Sequence, residues 1–343
     1  MLEIEQSSQQ QQGRSDSDDA QMQQVIEGLQ SDPPQISPRW FYDDVGSALF
    51  ETITRVPEYY PTRCEIEILK QYSGDIASAL PSGLAVVELG SGSARKVGQL
   101  LPELSEPRSY HPVDVSRAAL DATATEIAAI LPDLVVDGLC TDFTHPQKLG
   151  ALLSDIVDDG PVLLFFPGST IGNFDDDEAA NLLTRLHRWL PVGTPFVLGV
   201  DLVKDPDILE TAYNDPIGVT AAFNRNLLAH LNRQFGADFN PEQWRHEAVW
   251  VPDHHRVEMW LRSCGDQTVH FGDTTLTFQD GDGIHTESCH KWDRPRLQTL
   301  AETSGWSLQQ SWTDSQRWFA EVLLVRSDGS HRAKAFAPTT KTR

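Results

Sequence analysis

The sequence predicts an α/β protein: a Rossmann-like, mostly parallel sheet interrupted by a discontinuous α+β domain. Three observations carry this. Short apolar, β-branched runs alternate with helix-like segments between residues 84 and 200, the rhythm of βα units feeding a parallel sheet. A glycine turn, GSG, follows the first of these runs. After Val200 the rhythm gives way to a helical stretch and antiparallel-looking segments, before two strand-like runs resume near the end.

In chain order, LAVVEL (84–89) reads as a buried strand, followed by the turn at Gly90 and Gly92 and a helix over 96–101. YHPVDV (110–115) is the second strand; Ser116 then caps a helix with apolar positions at Ala119, Leu120, Ile127 and Ile130. LVVDGL (134–139), PVLLFF (161–166) and TPFVLGV (194–200) supply three more strands, with a helix over 175–190 between the last two. Residues 204–236 read as helical, and TAAFNRNLLAHLNRQF puts Phe223, Leu227, Leu228 and Leu231 on one face. EAVWV, RVEMWLR, QTVHF and TTLTF follow as antiparallel segments, and WSLQQSW and FAEVLLV return to the sheet. The Gln/Ser/Asp-rich start has almost nothing to bury, and the polar, basic end from Ser327 is similar, so both read as flexible tails.

Composition narrows the partners. A formal charge of −23 over 343 residues repels a phosphate backbone, and no Lys/Arg stripe with interleaved aromatics reverses the sign locally. Nucleic acid is therefore not expected. No apolar run approaches the roughly 18 residues a membrane helix needs, so no membrane partner is expected either. Cys64, Cys140, Cys264 and Cys289 are scattered without CxxC spacing, and MLEIEQSSQQ lacks the plan of a signal peptide. A cytoplasmic monomer acting on a small molecule is the expectation. His254 and His255, expected on opposite faces of a strand, and the odd-spaced His285 and His290 lack a third partner, so no metal site is expected.

In VVELGSGSARK, Gly90 and Gly92 permit a tight turn that a ligand can approach closely before the next helix begins. A plain βα turn is the bland alternative. A dinucleotide fingerprint would place a third glycine where Arg95 stands, which disfavours a nicotinamide cofactor. Asp114, ending the second strand, is placed for ribose hydroxyls, although it could simply cap the following helix. Asp142 and Phe143, after the third strand, could pair with an adenine amino group and cover the base, or Phe143 could be core. The ordered series on successive strand ends favours an adenosyl cofactor.

Several segments carry a wider resemblance: SPRWFYDDVGSALFETITRVPEYYPTRCEIEIL, VELGSGSARK, YHPVDVS, DFTHP, FPGSTIGNF, LGVDLVKDP, AYNDPIGVTAAFNRNLL, RVEMWL and IHTESCHKW. Spread from about Pro38 to Trp318, they resemble the L-histidine Nα-methyltransferases of ergothioneine biosynthesis, which use S-adenosylmethionine. The resemblance implies a class I methyltransferase domain over 63–203 and 292–326, and a substrate-binding domain from 25–62 and 204–291, with the active site between them and tails over 1–24 and 327–343. It implies that Tyr42, Gly90, Gly92, Lys96, Asp114, Asp142, Phe143, Gly168 and Ser169 line the cofactor site. It implies that Tyr59, Asn173, Tyr213, Phe223, Met259, Glu287 and Cys289 surround free L-histidine, which would be methylated stepwise to the trimethyl product, hercynine.

Residue chemistry fits those roles. Methyl transfer to nitrogen is an in-line displacement, so holding donor and acceptor in near-attack geometry supplies most of the catalysis. Tyr42 and Asn173 are the candidate catalytic residues, Tyr42 orienting the amine rather than acting as its base. Asn173 and Tyr213 offer an amide N–H and a phenolic O–H to the substrate carboxylate. Tyr59 and Glu287 meet the imidazole, where Glu287 accepts from a ring N–H. Tyr59 and Met259 each have a packing alternative. Cys289 departs from the family's usual Ser and shares a strand face with Glu287, while Ser288 points away. That departure motivates one rival, a same-fold enzyme for another small amine; a non-catalytic adenosyl-binding protein is a second.

Overall fold

The computed structural model describes residues 16–328. Its first helix, α1 (Asp16–Leu29), corrects the tail expected over 1–24, because Val25, Ile26 and Leu29 give the Gln-rich segment an apolar edge to bury. Residues 1–15 and 329–343 of the two expected tails lie outside the described residues. Ser327 is tied down, its hydroxyl donating to the Gly305 carbonyl at 2.8 Å.

Two more helices precede the sheet: α2 (Asp44–Ile53), whose cap Asp43 accepts from the Gly46 amide, and α3 (Pro61–Ser78), with proline in its first turn. Then come β1 (Ala85–Leu89), α4 (Val97–Leu100), β2 (Ser109–Asp114), α5 (Arg117–Ile130), β3 (Val135–Val136), β4 (Leu139–Cys140), α6 (Pro146–Asp158), β5 (Val162–Phe166), α7 (Asp176–Trp189) and β6 (Pro195–Asp201). Ser116 caps α5 by accepting from the Ala119 amide, as its place in the sequence suggests. The strand expected over 134–139 is instead two short pieces against β2, because Asp137 turns its amide onto the Tyr110 carbonyl between them.

Where one helical stretch is expected over 204–236, the chain forms α8 (Pro206–Tyr213) and α9 (Val219–Phe235). The NDPIG segment between them explains the break. Gly218 takes a positive φ of 79°, and the Asp215 carboxylate accepts from the Val219 and Thr220 amides. The remaining elements are β7 (Trp244–Val251), β8 (Arg256–Ser263), β9 (Gln267–Phe271), β10 (Thr274–Phe278), β11 (Gly283–His290), α10 (Arg294–Thr303), β12 (Trp306–Thr313) and β13 (Phe319–Arg326). His254 and His255 sit not on a strand but in and just after a tight turn, His255 with a φ of 49°.

The main sheet has the order β12-β13-β6-β5-β1-β2-β3, with β4 also on β2. Strands β6, β5, β1 and β2 run parallel, while β13 is antiparallel to both of its neighbours. This is the Rossmann-like sheet that the sequence predicts. Strands β1, β5 and β6 are buried along their whole lengths, which is why they read as continuous apolar runs rather than alternating ones. The order reverses at β1, so the crevice beyond the carboxyl ends of β1, β2 and β5 is where such a sheet binds its ligand.

By contacts the chain divides into two units. One comprises Tyr42–Thr220, Ala248–Glu258 and the chain from Ser288; it holds the main sheet and the apolar core of Val87, Leu89, Leu164, Phe166, Leu183 and Leu198. The other comprises the described chain up to Phe41, Ala221–Glu247 and Met259–Glu287. It has an aromatic core in which Phe41 stacks on Phe223 at 4.5 Å, Phe235 meets Trp40 at 5.0 Å, and Trp244 meets Phe278 at 5.1 Å. These borders differ from the domain ranges expected at 25–62 and 204–291: α2 and α8 group with the sheet.

Candidate active site

The glycine turn leaves β1 with Gly90 at a φ of 74°, and the Gly90 and Ser91 amides both donate to the Val113 carbonyl on β2. Space above Gly92 is open: an added Cβ would meet nothing within 4 Å. The Phe143 ring edge lies 3.8 Å from where a Cβ on Gly90 would stand, so the turn and the aromatic form two sides of one ledge. Phe143 is held by Phe166 at 5.3 Å and Phe174 at 6.2 Å, edge to face. Asp114 accepts from the Ser116 amide, and burial raises its pKa against two backbone amides that lower it. Asp142 accepts from the Thr144 amide and hydroxyl at 2.8 and 2.6 Å. An open glycine ledge, one carboxylate beyond each of two neighbouring strands and an aromatic wall together fit an adenosyl cofactor. Arg95 turns away to Glu51 and Thr54, at 3.3 and 3.2 Å.

Beneath the ledge is a group the sequence did not announce. Lys96 pairs with Glu65 at 2.6 Å, and the other Glu65 oxygen accepts from the Gly168 amide at 2.7 Å. Gly168 takes a φ of 83° with the Lys96 nitrogen 2.9 Å from where a Cβ would stand, and a Cβ on Gly199 would lie 2.7 Å from Glu65 and 3.2 Å from the Gly168 amide nitrogen, so both places favour glycine. Burial and the adjacent Glu65 push Glu321 well above the usual carboxylate range. Glu88, on β1, accepts a short hydrogen bond from Tyr110, whose oxygen lies 2.9 Å from the Ser91 hydroxyl. Burial raises Glu88 to about 7 even though Tyr110, Ser91 and Lys96 favour its charged form.

On the same unit, Ser169 holds a left-handed φ of 57° and its hydroxyl accepts from the Asp201 amide at 2.9 Å, which fixes the turn Thr170–Asn173 that presents Asn173. The Cys289 sulfur lies 4.0 Å from the Asn173 side-chain oxygen. Edge-to-face contacts link Tyr42 to Phe50 at 5.8 Å, Phe50 to Tyr59 at 6.3 Å, and Tyr59 to Tyr213 at 6.0 Å. Burial, then Cys289 and Tyr59, keep the Tyr213 phenol protonated well past its ordinary range.

A second buried ionic group supports Tyr213. Asp201, at the end of β6, accepts from the Tyr60 hydroxyl at 3.0 and 2.8 Å. It pairs with Lys204 at 2.5 Å and with Lys291 at 2.8 Å. Burial alone would raise the Asp201 carboxyl, but the two lysines outweigh it and hold it below the usual range. Burial lowers Lys204 to about 8 against the pull of Asp201. Lys291 also donates to the Tyr213 oxygen at 2.8 Å.

Of the residues expected from the sequence, Tyr42, Tyr59, Gly90, Gly92, Lys96, Asp114, Asp142, Phe143, Gly168, Ser169, Asn173, Tyr213 and Cys289 belong to the sheet-bearing unit. Phe223, Met259 and Glu287 belong to the other unit, all three buried. Glu287 and Cys289 share a face of β11, and Ser288 between them is more exposed. His290 is occupied with the Gly172 carbonyl at 3.0 Å, and burial lowers it to about 4. Among the described residues no group of three or more His, Cys, Asp or Glu is arranged to hold a metal. Glu65, Glu321, Asp201, Lys204 and Lys291 escaped the sequence analysis. The available signal was LGVDLVKDP and SCHKW, where lysines stand in otherwise apolar or structured surroundings.

A model of the SAM-dependent, histidine-specific methyltransferases matches residues 21–326. The chain belongs to this family. Its relatives include the histidine N-alpha-methyltransferase of Mycobacterium tuberculosis, 41% identical over 307 residues covering 88% of this chain and 94% of that one. That of Mycolicibacterium smegmatis is 40% identical over 309 residues, with the same coverage of 88% and 94%. Ergothioneine biosynthesis protein 1 of Neurospora crassa is 30% identical over 309 residues, 85% of this chain but 33% of that longer protein. Membership makes this histidine-specific methyltransferase an S-adenosylmethionine-dependent enzyme, for which the ledge above Gly92 is the fitting place. No helix among its described residues is long and apolar enough to cross a membrane.

Proposed function

We propose that this enzyme methylates the α-amino group of free L-histidine three times in succession, giving the trimethylated betaine hercynine for ergothioneine biosynthesis. The observation that carries the reading is Tyr213: a buried, protonated phenol whose oxygen already accepts from Lys291, so that its own O–H is a donor suited to a carboxylate. The names of the mycobacterial and Neurospora relatives support the acceptor atom and the pathway.

When bound, S-adenosylmethionine supplies an electrophilic methyl group on a sulfonium. Asp114 receives the ribose hydroxyls, Asp142 the adenine amino group, and Phe143 covers the base beside Gly90. The loop at Gly168 and Ser169, fixed by Lys96 and Glu65, bounds the same site. Asn173 and Tyr213 hold the histidine carboxylate, Tyr59 and Glu287 hold the imidazole, and Phe223 and Met259 supply apolar walls. Tyr42 orients the amine. Each transfer forms an N–C bond, breaks a C–S bond and removes one N–H, whose proton passes to water. Amine hydrogen bonds therefore cannot anchor all three rounds, which is why the anchors sit at the carboxylate and the ring.

Mass and NMR analysis of histidine incubated with enzyme and cofactor tests this: one, two and then three methyl groups are expected on the α-nitrogen. Methylation of the ring, or faster turnover of another amino acid, would favour the same-fold alternative acting on a different amine. Glu287→Ala is expected to raise KM for histidine about tenfold or more with little change for cofactor; equal effects on both would remove Glu287 from the ring's surroundings.

A further inference from the structure

We propose that Lys291, acting through Tyr213, makes a free carboxylate a requirement of the acceptor, with the Asp201–Lys204–Lys291 group as its electrostatic base. The inference rests on the reading above that Tyr213 holds that carboxylate.

Lys291 and Lys204 have side chains 2% and 4% exposed, and Asp201, 1% exposed, is the one carboxylate both of them meet. In direct contact, two ammonium groups thus share one carboxylate. The phenols around it, Tyr60 and Tyr213, are held neutral by burial, and burial pushes the nearby Cys64 thiol up to about 12. Asp314 and Glu67 act on Cys64 rather than meeting either lysine, and Asp314 is engaged by the backbone amides of Gln316, Trp318 and Phe319. Stability does not explain such a group, because desolvating three ions for an unbalanced cluster is less favourable than apolar packing of the same volume. An anion arriving from outside balances it.

Geometry says where that anion belongs. The Lys291 nitrogen is 2.8 Å from both Asp201 and the Tyr213 oxygen. An ammonium has only donors, so the phenol must accept, and its hydrogen turns elsewhere. Donation from a cation also polarises the phenol and strengthens it as a donor. Asp201 ties the arrangement to the second proposed carboxylate anchor, since its amide donates to Ser169 at the start of the turn that carries Asn173. One buried aspartate thus registers both donors. Lys291 touches neither substrate nor cofactor in this scheme; it is a positioning residue.

The test compares histidine with histidinamide, which keeps the ring and amine and lacks the anionic charge. Lys291→Met and the gentler Lys291→Gln are to be assayed beside Tyr213→Phe and the double variants, with cofactor binding measured separately. Each lysine variant is expected to raise KM for histidine about tenfold to a hundredfold. Histidinamide turnover and cofactor affinity should stay nearly constant, so the preference for histidine collapses. In the Tyr213→Phe background the lysine change should add little.

Equal losses on histidine and histidinamide, or full additivity with Tyr213→Phe, would overturn the proposal. If Tyr213→Phe itself leaves the histidine KM unchanged, the carboxylate assignment fails instead, and the two failures are distinguished. Should neither Lys291 variant fold, Lys204→Met neutralises the same excess charge from the far side of Asp201. A rise of about threefold or more in the histidine KM then supports the proposal, and an unchanged KM in folded protein overturns it.

Discussion

The sheet-bearing unit contains two buried ionic groups with opposite imbalances. Under the glycine turn, Glu65, Glu88 and Glu321 share one ammonium, Lys96. Beside Tyr213, Lys204 and Lys291 share one carboxylate, Asp201. The donor of this family's reaction carries a cationic sulfonium, and its proposed acceptor carries an anionic carboxylate. The acidic group lies beside the Gly168 loop and the basic group beside Tyr213, the proposed anchor of the acceptor's carboxylate. The imbalances are relieved differently. The acidic group retains protons, with Glu321 pushed far up and Glu88 to about 7, whereas the basic group keeps Asp201 ionised and lowers Lys204 to about 8.

The largest expected effect comes from removing the single cation of the acidic group. Lys96→Met leaves Glu65 buried without its partner and should cost about 3–5 kcal/mol of stability near neutral pH, read by urea unfolding. A loss below about 1 kcal/mol would mean that the Lys96–Glu65 pair does not support the fold.

Glu88 sharpens the same comparison through pH. Its pKa is about 7 when folded and close to the ordinary glutamate value of 4.5 when unfolded, so folding takes up a proton between those values. Its stabilising contribution is complete below about pH 4 and is lost as pH rises through 7, a change of about 3 kcal/mol. In Glu88→Gln that slope should disappear from unfolding measurements made between pH 4.5 and 8. An unchanged slope would show that Glu88 is ionised throughout.

Cys289 should give the smallest effect. Its sulfur is 4.0 Å from Asn173, a weak contact. Cys289→Ser is expected to change the histidine KM by no more than about 1 kcal/mol, roughly fivefold. Conversion of an inert protein into an active one would mean that the thiol had redirected acceptor choice.

Much of the cofactor side was legible in the sequence because it follows the chain: strand, glycine turn, strand, acid, strand, acid, aromatic. Each of Gly90, Asp114 and Phe143 is placed by the element just before it, and periodicity finds those elements. The ionic groups were not legible, because their partners are distant in sequence: Glu65 and Gly168 are 103 residues apart, Tyr60 and Asp201 141, Tyr213 and Lys291 78. LGVDLVKDP and SCHKW hint at unusual lysines, but nothing local says which carboxylate or phenol they meet. The break between α8 and α9 was legible in NDPIG but was overridden by the apolar spacing on either side. Likewise, α1 was hidden by its Gln-rich composition, although Val25, Ile26 and Leu29 were enough to anchor it.

In the proposed site, donor and acceptor are held by separate residues, the cofactor by Asp114 and the histidine carboxylate by Tyr213. The most direct measurement pairs cofactor affinity with the histidine KM in Asp114→Ala and in Tyr213→Phe. A crossed result is expected: Asp114→Ala weakens cofactor binding about tenfold to a hundredfold and barely moves the histidine KM, while Tyr213→Phe does the reverse. Parallel losses of both quantities in both variants would contradict it.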